Sequence, residues 1–462
     1  MSFSVRGQNV TVVGAARSGL AAALLLAQRG ARVTLTDAGS ELDPSAAGPL
    51  LDAGVELELG AHRREAFASA DLVVLSPGVP LDQPAIVAAR EAGVPVIGEI
   101  ELASRWLSGR IVAITGTKGK STTTTLTGRM FTAGGLHAIV GGNIGTPLSS
   151  QVAASTPETF HIVEVSSFQL ETTDTFHPWI AVLLNVSSDH LDRHGSMDVY
   201  SAAKAKIFAN QTPDDWAVIN ADDPQTLALA RATRARKVSF SGDTPLVPLS
   251  SIRLIGRHLV ADVMAAATVA QIAGVSHDAI VRAVESFTGL EHALEPVAVV
   301  GGVRFVNDSK ATNVEAAQRA IESFDRGLIV IMGGRYKSGD FSLLREPLRS
   351  RDAKVVAIGE ATPLIERALE GAVAVERAQT LEAAVRRAYE LAGAEGREAA
   401  RGGGALEAER PERDEWPPRL ENVVLLAPAC ASFDMFRDYA ERGQVFKKEV
   451  LKLVEESNSR ER

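Results

Sequence analysis

The chain has 462 residues, a length that predicts about three domains rather than one. Its net charge of −9 argues against a general nucleic-acid-binding protein, because such proteins carry a basic surface. Cys430 is the only cysteine, which excludes an internal disulfide framework and a Cys-based zinc site and favours a cytoplasmic location. The N-terminus lacks an apolar signal core and the longest apolar stretch, 20–27, is too short to cross a bilayer, so we expect no membrane insertion.

The N-terminal residues alternate between strand and helix patterns. The apolar runs predict strands at Asn9–Val13, Val33–Thr36 and Asp71–Leu75. The Ala/Leu-rich stretch Ser18–Gln28 is typical of a helix. Because strands and helices alternate, we expect a parallel sheet, and we place a first domain at residues 1–105.

Two further α/β units follow, at residues 106–295 and 296–462. In the second domain the patterns predict a helix at Ser121–Ala133 and strands at Ile111–Thr115, His161–Val165 and Ile180–Asn185. In the third they predict strands at Val303–Asn307, Gly327–Met332, Lys354–Ile358 and Asn422–Leu426. Residues 394–419 are rich in Ala, Gly, Glu, Arg and Pro without apolar periodicity, which predicts a flexible surface insertion.

The segment TGTKGKST lies between a predicted strand and a predicted helix, an arrangement that binds anions through backbone N–H groups and the helix dipole. Gly116 and Gly119 permit a close approach of the backbone, and Lys120 would neutralise phosphate charge. The common P-loop pattern is incomplete, because an isoleucine occupies its first glycine position. The loop alone therefore predicts a nucleotide site and no particular reaction. The ATP contacts predicted in it are Gly116, Thr117, Lys118, Gly119, Lys120, Ser121 and Thr122.

The loop, written out as TGTKGKSTTT, resembles the shortened phosphate loop of the Mur ligases and folylpolyglutamate synthases. Matching segments follow in the same order: GGNIGTPL, VEVSSFQLE, NVSSDHLDRH, NDSKATN and APACASFDMFRDYAERGQVFK. NDSKATN and ACASFDMF are similar to the D-glutamate-adding branch of the Mur ligases. The resemblance implies an α/β protein of three domains: a Rossmann-like N-terminal domain, a central P-loop ATPase-type domain and a C-terminal Rossmann-like domain.

The resemblance also implies a reaction. ATP would phosphorylate the carboxylate of UDP-N-acetylmuramoyl-L-alanine, and the amine of D-glutamate would then attack the acyl phosphate during peptidoglycan precursor synthesis. Because this brings anions together, the site must supply positive charge, and ATP with two Mg²⁺ ions is the implied cofactor set. The implied catalytic residues are Lys120, Glu164, His190 and Lys204. The implied magnesium ligands are Ser121, Glu164, His190 and, if carbamylated, Lys204.

The resemblance extends to the substrate contacts. It implies contacts to the UDP substrate from Ser18, Asp37, Ser76, Gly78, Asn143, Ser166 and Gln169. It implies contacts to D-glutamate from Thr312, Lys337, Ser432 and Tyr439, and nucleotide contacts from Asp308 and Lys310. The first turn reads GAARSG rather than GxGxxG, which disfavours a dinucleotide cofactor.

Three positions depart from the family pattern at the adenosine end of the ATP site. Leu259 and Asp262 replace two asparagines, and Ala293 replaces an arginine. Two alternatives to an active ligase therefore stay open: a catalytically weakened binding or regulatory homologue, and a folylpolyglutamate synthase-type ligase. NDSKATN and the UDP-type first domain disfavour the second alternative.

Overall fold

The computed structural model describes residues 3–254, 258–402 and 422–460. The chain divides into two compact units. The first unit comprises Met1–Val247 and Ala261–Val284 and contains two parallel sheets. The second comprises Pro248–Val260 and Glu285–Arg462 and contains a third sheet.

The first sheet has five parallel strands in the order β3-β2-β1-β4-β5. Its strands are β1 (Asn9–Val13), β2 (Arg32–Asp37), β3 (Glu56–Leu59), β4 (Leu72–Leu75) and β5 (Val96–Gly98). Its helices are α1 (Arg17–Gln28), α2 (Pro44–Asp52), α3 (Arg64–Ala68), α4 (Pro84–Glu91) and α5 (Glu99–Ser104). The strand order reverses direction between β1 and β4, which creates a crevice at the carboxyl ends of these two strands.

The second sheet has six parallel strands in the order β11-β10-β9-β6-β8-β7. Its strands are β6 (Arg110–Thr115), β7 (Ala138–Gly142), β8 (Phe160–Glu164), β9 (Ile180–Leu183), β10 (Trp216–Asn220) and β11 (Arg236–Phe240). Its helices are α6 (Lys120–Ala133), α7 (Ser167–Glu171), α8 (Leu191–His194), α9 (Met197–Ala205), α10 (Pro224–Leu229), α11 (His258–Ile272) and α12 (His277–Glu285). The central strands β6, β8 and β9 are apolar because helices cover both faces of a parallel sheet.

The third sheet has six strands in the order β12-β13-β17-β14-β15-β16, and only the β12–β13 pair is antiparallel. Its strands are β12 (Glu295–Val300), β13 (Val303–Asn307), β14 (Leu328–Gly333), β15 (Lys354–Ile358), β16 (Val375–Arg377) and β17 (Val423–Leu426). Its helices are α13 (Val314–Glu322), α14 (Arg345–Arg349), α15 (Thr362–Leu369), α16 (Leu381–Gly402) and α17 (Tyr439–Arg460). Two apolar clusters pack against this sheet, one on each face.

The predicted α/β architecture with three domains is confirmed. The limits of β1, β13 and β15 are those predicted from the apolar runs. The domain limits at residues 105 and 295 stay predictions, and β12 begins at the second of them, Glu295. Within the described ranges, no helix combines the length and apolar character needed to cross a membrane.

The predicted insertion at residues 394–419 is only partly described. Helix α16 continues through residue 402, so the first part of this segment is helical although its composition predicted a flexible loop. Ala, Glu and Arg are strong helix formers, so their composition is compatible with the extension of a helix that residues 381–393 have already nucleated. Residues 403–419 lie outside the described residues.

Candidate active site

A cavity of about 400 Å³ lies at the crevice of the first sheet. Its lining includes six of the seven residues predicted for the UDP substrate: Ser18, Asp37, Ser76, Gly78, Asn143 and Gln169. The first four follow β1, β2 and β4, and the last two follow strands of the second sheet. The cavity is therefore formed by the first two domains together.

Asp37 and Ser76 shape the wall of this cavity. The carboxylate of Asp37, at the end of β2, accepts the backbone N–H of Ala15 at 2.6 Å and that of Gly39 at 2.7 Å. The Ser76 hydroxyl donates to the carbonyl of Gly14 at 2.9 Å. These bonds fix the turns after β1, β2 and β4, so the cavity wall does not depend on a ligand for its shape.

Ser166 and Gln169 form a reciprocal cap at the start of α7. The Ser166 hydroxyl accepts the N–H of Gln169 at 3.2 Å, and Oε1 of Gln169 accepts the N–H of Ser166 at 3.0 Å. Ser166 is not among the residues that line the cavity. In the described chain, the buried Nε2 of Gln169 has no hydrogen-bond partner, although the residue lines the cavity. A buried amide donor of this kind is suited to an oxygen of a bound ligand.

The phosphate loop connects β6 to α6. Gly119 has φ of 82°, a conformation that glycine adopts without strain, and it begins the helix. Asn185, after β9, accepts the backbone N–H of Lys118 at 2.8 Å and donates to the carbonyl of Lys118 at 3.1 Å. Its own backbone carbonyl accepts the N–H of Thr117 at 3.0 Å. The loop is thus anchored at its centre by a single asparagine from the neighbouring strand.

Lys120 and Lys204 converge on one carbonyl of the loop. Nζ of Lys204 donates to the carbonyl of Gly116 at 2.7 Å, and Nζ of Lys120 donates to the same oxygen at 3.0 Å. Lys204 is 1% exposed. Burial and the nearby charge of Lys120 lower the pKa of Lys204 to about 7. At neutral pH a large fraction of Lys204 is therefore an uncharged amine.

A chain of hydrogen bonds runs from the phosphate loop to the substrate cavity. The Ser121 hydroxyl donates to Oε2 of Glu164 at 2.7 Å, and Nδ2 of Asn143 donates to Oε1 at 2.7 Å. Glu164 ends β8 and is buried, while Asn143 lines the cavity. One carboxylate therefore joins the phosphate loop to the cavity.

His190 has a left-handed backbone conformation, with φ of 53°. Its exposed ring packs on Phe168, with ring centroids 4.9 Å apart. The neighbouring Asp189 pairs with Lys118 at 3.0 Å. Burial acts in the opposite direction, but the bond and charge of Lys118 hold the pKa of Asp189 below its usual value.

Two hard oxygen donors lie at the predicted magnesium site, the carboxylate of Glu164 and the hydroxyl of Ser121. Oxygen ligands of this kind are the ones that Mg²⁺ prefers. The residues thus fit the ion chemically. Among the described residues, no group of three or more His, Cys, Asp and Glu is close enough to hold a metal ion.

Asp262 is a buried acid beside the phosphate loop. It is 3% exposed, and a Cβ placed on Gly119 would come within 2.0 Å of its Oδ1. Burial raises the pKa of Asp262 to about 7, although the charge of Lys120 acts in the opposite direction. Its Oδ2 has no hydrogen-bond partner within the described part of the chain. The position that departs from the family pattern therefore contacts the loop itself.

The residues predicted for D-glutamate follow three adjacent strands of the third sheet. Thr312 follows β13, Lys337 follows β14 and Ser432 follows β17. Since the three strands are parallel, these segments emerge at the same edge of the sheet. Ser432 is buried, whereas Lys337 is exposed and lies 5.6 Å from the ring centre of Phe433.

The remaining predicted residues of the second unit lie near the end of β13. Asp308 is 9% exposed and accepts the backbone N–H of Leu294 at 3.1 Å, and burial raises its pKa to about 7. Lys310 is exposed. Tyr439, the first residue of α17, accepts the hydroxyl of Ser309 at 2.7 Å through its backbone carbonyl.

Four residues with structural roles at these sites were not predicted: Asn185, Asp189, Arg193 and Arg442. The first three belong to the segment NVSSDHLDRH, so the motif contained the signal. Arg193 donates to the carbonyl of Val79 at 3.1 Å, next to the turn that lines the substrate cavity. Arg442 lies in the segment APACASFDMFRDYAERGQVFK, but that segment does not indicate its bond to Ser309, which is 133 positions away.

Three family models match in order: the Mur ligase MurD-like N-terminal domain over residues 8–98, the Mur ligase middle domain over 114–247 and the Mur ligase glutamate ligase domain over 294–397. Together they span more than half of the chain.

Individual proteins are also similar over nearly the whole length. A UDP-N-acetylmuramoylalanine–D-glutamate ligase of Acidobacterium capsulatum is 44% identical, with 97% of each chain covered. One of Koribacter versatilis is 41% identical, covering 98% of this chain and 99% of the relative. The crystal structure of UDP-N-acetylmuramate-alanine ligase from Thermotoga maritima aligns with a TM-score of 0.54 at 18% identity, covering 96% of this chain and 99% of that one. At that identity the structural match shows the fold alone.

Proposed function

Because the chain belongs to the Mur ligase family, we propose that it is an ATP-dependent ligase that joins D-glutamate to UDP-N-acetylmuramoyl-L-alanine in peptidoglycan precursor synthesis. The observation that carries this proposal is the link from Ser121 through Glu164 to Asn143. It connects an ATP-type phosphate loop to a cavity of about 400 Å³ at the switch point of the first sheet. A phosphoryl transfer from ATP to a substrate in that cavity needs this proximity.

In the first step, a carboxylate oxygen of the acceptor attacks the γ-phosphorus of ATP, which forms the acyl phosphate and releases ADP. Lys120 offsets the charge of the anions that meet there. Asn185 holds the loop in place, so the backbone N–H groups and the start of α6 are oriented before ATP arrives. Asn143 and Gln169 orient the acceptor from the cavity wall.

Magnesium would be held by Ser121 and Glu164, with His190 and Lys204 as further ligands, and it would supply Lewis-acid neutralisation of the phosphate oxygens. The depressed pKa of Lys204, about 7, supports carbamylation, since only the uncharged amine reacts with carbon dioxide. Carbamylation would convert the lysine into an anion and so make it a metal ligand. Two magnesium ions are proposed for this donor set.

In the second step, the amine of D-glutamate attacks the acyl carbon, phosphate leaves and the nitrogen loses a proton. We propose that Thr312, Lys337, Ser432 and the backbone at Tyr439 hold the two carboxylates of D-glutamate. Their common origin at one edge of the third sheet supports this grouping. Asp308 and Lys310, after the same β13, are proposed as nucleotide contacts, and the cytoplasm is the proposed location.

The weakened-homologue alternative rests on the departures at Leu259, Asp262 and Ala293, and a structural observation at Asp262 supports it. Asp262 places a buried carboxyl, whose Oδ2 has no hydrogen-bond partner among the described residues, against the phosphate loop, where a negative charge opposes polyphosphate binding. Lys120, Glu164, His190 and Lys204 are all present, which favours an active enzyme.

The test is phosphate release measured with purified protein, ATP and Mg²⁺. We expect release only when UDP-N-acetylmuramoyl-L-alanine and D-glutamate are both present, and not when L-glutamate or meso-diaminopimelate replaces D-glutamate. Binding of the acceptor without phosphate release at saturating ATP would support the weakened homologue. Release with a folate acceptor would support the folylpolyglutamate synthase-type alternative.

A further inference from the structure

Arg442 is a buried cation at the carboxyl edge of the third sheet. It is 1% exposed and lies in the first turns of α17. Burying a guanidinium is costly unless hydrogen bonds or an anion compensate, and a cation near a helix N-terminus is also disfavoured by the helix dipole. The ion pairs found among the described residues do not include Arg442. The free-energy cost of burying Arg442 here indicates that its guanidinium has a role at this position.

The partners of Arg442 are backbone groups at the ends of adjacent strands. Its guanidinium donates to the carbonyl of Ser309 at 2.9 Å and to the Ser309 hydroxyl at 3.0 Å, after β13. It donates to the carbonyl of Cys430 at 3.2 Å, after β17, and approaches that of Gly333, at the end of β14, at 3.5 Å. One planar group therefore spans the ends of all three strands, which a lysine ammonium has neither the width nor the donors to do.

The same three strands lead to the residues proposed for D-glutamate. Ser309 precedes Thr312 by three positions, Cys430 precedes Ser432 by two, and Gly333 precedes Lys337 by four. The Ser309 hydroxyl also donates to the carbonyl of Tyr439 at 2.7 Å, so the start of α17 belongs to the same network. By holding Ser309, Cys430 and Gly333 in place, Arg442 also fixes the start of each segment that is proposed to bind D-glutamate.

The charge of Arg442 is only partly balanced within the second unit. Burial lowers the pKa of Arg442 to about 10, while Cys430 and Asp434 act in the opposite direction, so the guanidinium stays protonated at neutral pH. Oδ2 of Asp434 accepts the backbone N–H of Glu360 at 3.0 Å, its buried Oδ1 has no hydrogen-bond partner among the described residues, and Asp434 thus forms no hydrogen bond with Arg442 there. A positive charge beneath the segments favours a ligand with carboxylates.

From this network we infer that Arg442 is a positioning residue for the amino-acid substrate. It holds the segments of Thr312, Lys337 and Ser432 in register and adds positive potential beneath the bound carboxylates. The inference rests on the proposed function, because it takes D-glutamate as the ligand of this region.

The experiment measures KM for each of the three substrates and kcat in the full-length enzyme carrying Arg442→Gln, Arg442→Lys or Arg442→Ala. We expect KM for D-glutamate to rise roughly tenfold or more in Arg442→Gln, because small displacements of binding groups are costly, and less in Arg442→Lys. KM for ATP and for the UDP substrate should stay within about twofold. Guanidinium chloride at a non-denaturing concentration should lower KM for D-glutamate in Arg442→Ala, whereas sodium chloride should not.

The matched control is Arg386→Gln. Arg386 is exposed on α16 and pairs with Glu456 of α17 at 2.7 Å, so its loss disturbs the same helix away from the strand ends. We expect no change in its KM for D-glutamate. If the Arg442 variants do not fold, Ser309→Ala removes one partner of the guanidinium and should show the same KM shift on a smaller scale.

A purely structural role would lower kcat in proportion to the folded fraction and leave every KM unchanged, and that result would overturn the inference. Equal increases in all three KM values would overturn it as well. If the wild-type enzyme shows no D-glutamate-dependent phosphate release, the proposed function itself fails. The two failures are therefore distinguishable.

Discussion

The phosphate-loop region of the second domain and the D-glutamate region of the third domain are built differently. In the first, functional side chains bond directly to one another, as Ser121 and Asn143 do to Glu164 at 2.7 Å each. In the second, no hydrogen bond between the side chains of Thr312, Lys337 and Ser432 occurs among the described residues. The segments that carry these residues are instead held by hydrogen bonds to their backbone carbonyls.

The two regions are therefore ordered in different ways, one by bonds between side chains and the other by anchored backbone. In the phosphate-loop region, the predicted site residues hold one another in place through hydrogen bonds between their side chains. One substitution there therefore disturbs several contacts at once. In the region proposed for D-glutamate, the backbone of each segment is anchored, and the side chains do not hold one another. The exposed side chains there therefore act more independently of one another. The comparison predicts large and coupled effects in the second domain and smaller, substrate-specific effects in the third.

The largest effect is expected at the phosphate loop. Lys120→Ala should lower kcat by roughly 10³-fold or more, because it removes the cation that we propose to neutralise the transferred phosphate. ADP release at saturating substrates measures this. Lys237→Ala, at an exposed lysine of β11, is the control and should retain full activity. Near-normal turnover by Lys120→Ala would refute the assignment of the loop.

Glu164→Gln should lower kcat by roughly 10²-fold and raise the magnesium concentration needed for half-maximal activity. The glutamine keeps the shape of the side chain. It lacks the negative charge that strengthens the hydrogen bonds from Ser121 and Asn143 and that is proposed to bind the metal. Magnesium titrations of the variant and of Glu158→Gln, an exposed control, measure this. An unchanged magnesium requirement would remove Glu164 from the metal site.

Lys337→Met tests the region of the third domain that is proposed to bind D-glutamate. We expect KM for D-glutamate to rise by about 10- to 100-fold, the cost of one charged hydrogen bond, with KM for ATP unchanged. Steady-state kinetics with each substrate varied in turn measure this, with Lys448→Met on α17 as the exposed control. A parallel rise in KM for ATP would show that the region is coupled to the nucleotide site.

The smallest effect is expected at Asp262. Its pKa of about 7 exceeds its ordinary value of 3.8, so the folded protein binds an extra proton between these values. Unfolding free energy should therefore fall as pH rises through this window and level off above it. Asp262→Asn should abolish that decline in thermal unfolding at pH 5 and pH 8. It should also lower KM for ATP roughly two- to fivefold at pH 8 and less at pH 6. An equal effect of the substitution at both pH values would mean that the charge of Asp262 does not change between them, which would contradict a pKa of about 7.

Much of the fold could be predicted because its strands are short apolar runs that end at polar or glycine-containing turns. The predicted limits of β1, β13 and β15 agree with the structure for that reason. Strand β7 was not predicted, since two glycines end it and glycine weakens a strand signal. The edge strands β3 and β16 were also missed, because half-buried strands lack a continuous apolar run.

The candidate site was predictable where function is encoded in local motifs. Asn143 and Gln169 both lie in such segments, and the structure brings them to one cavity with Ser76. Arg442 also lies in a matching segment, but its role could not be predicted from that segment, because its bond to Ser309 spans 133 positions. The burial of Asp262 against Gly119 was equally invisible, since only the packing of α11 on the loop creates it.

The central claim is that the phosphate loop and the substrate cavity act together to form an acyl phosphate. The most direct measurement supplies UDP-N-acetylmuramoyl-L-alanine labelled with oxygen-18 in its alanine carboxylate, together with ATP, Mg²⁺ and D-glutamate. The released phosphate should carry one labelled oxygen per product formed, because the carboxylate oxygen stays bonded to phosphorus when the amine displaces it. Phosphate without label would mean that water attacked ATP, and it would contradict the claim.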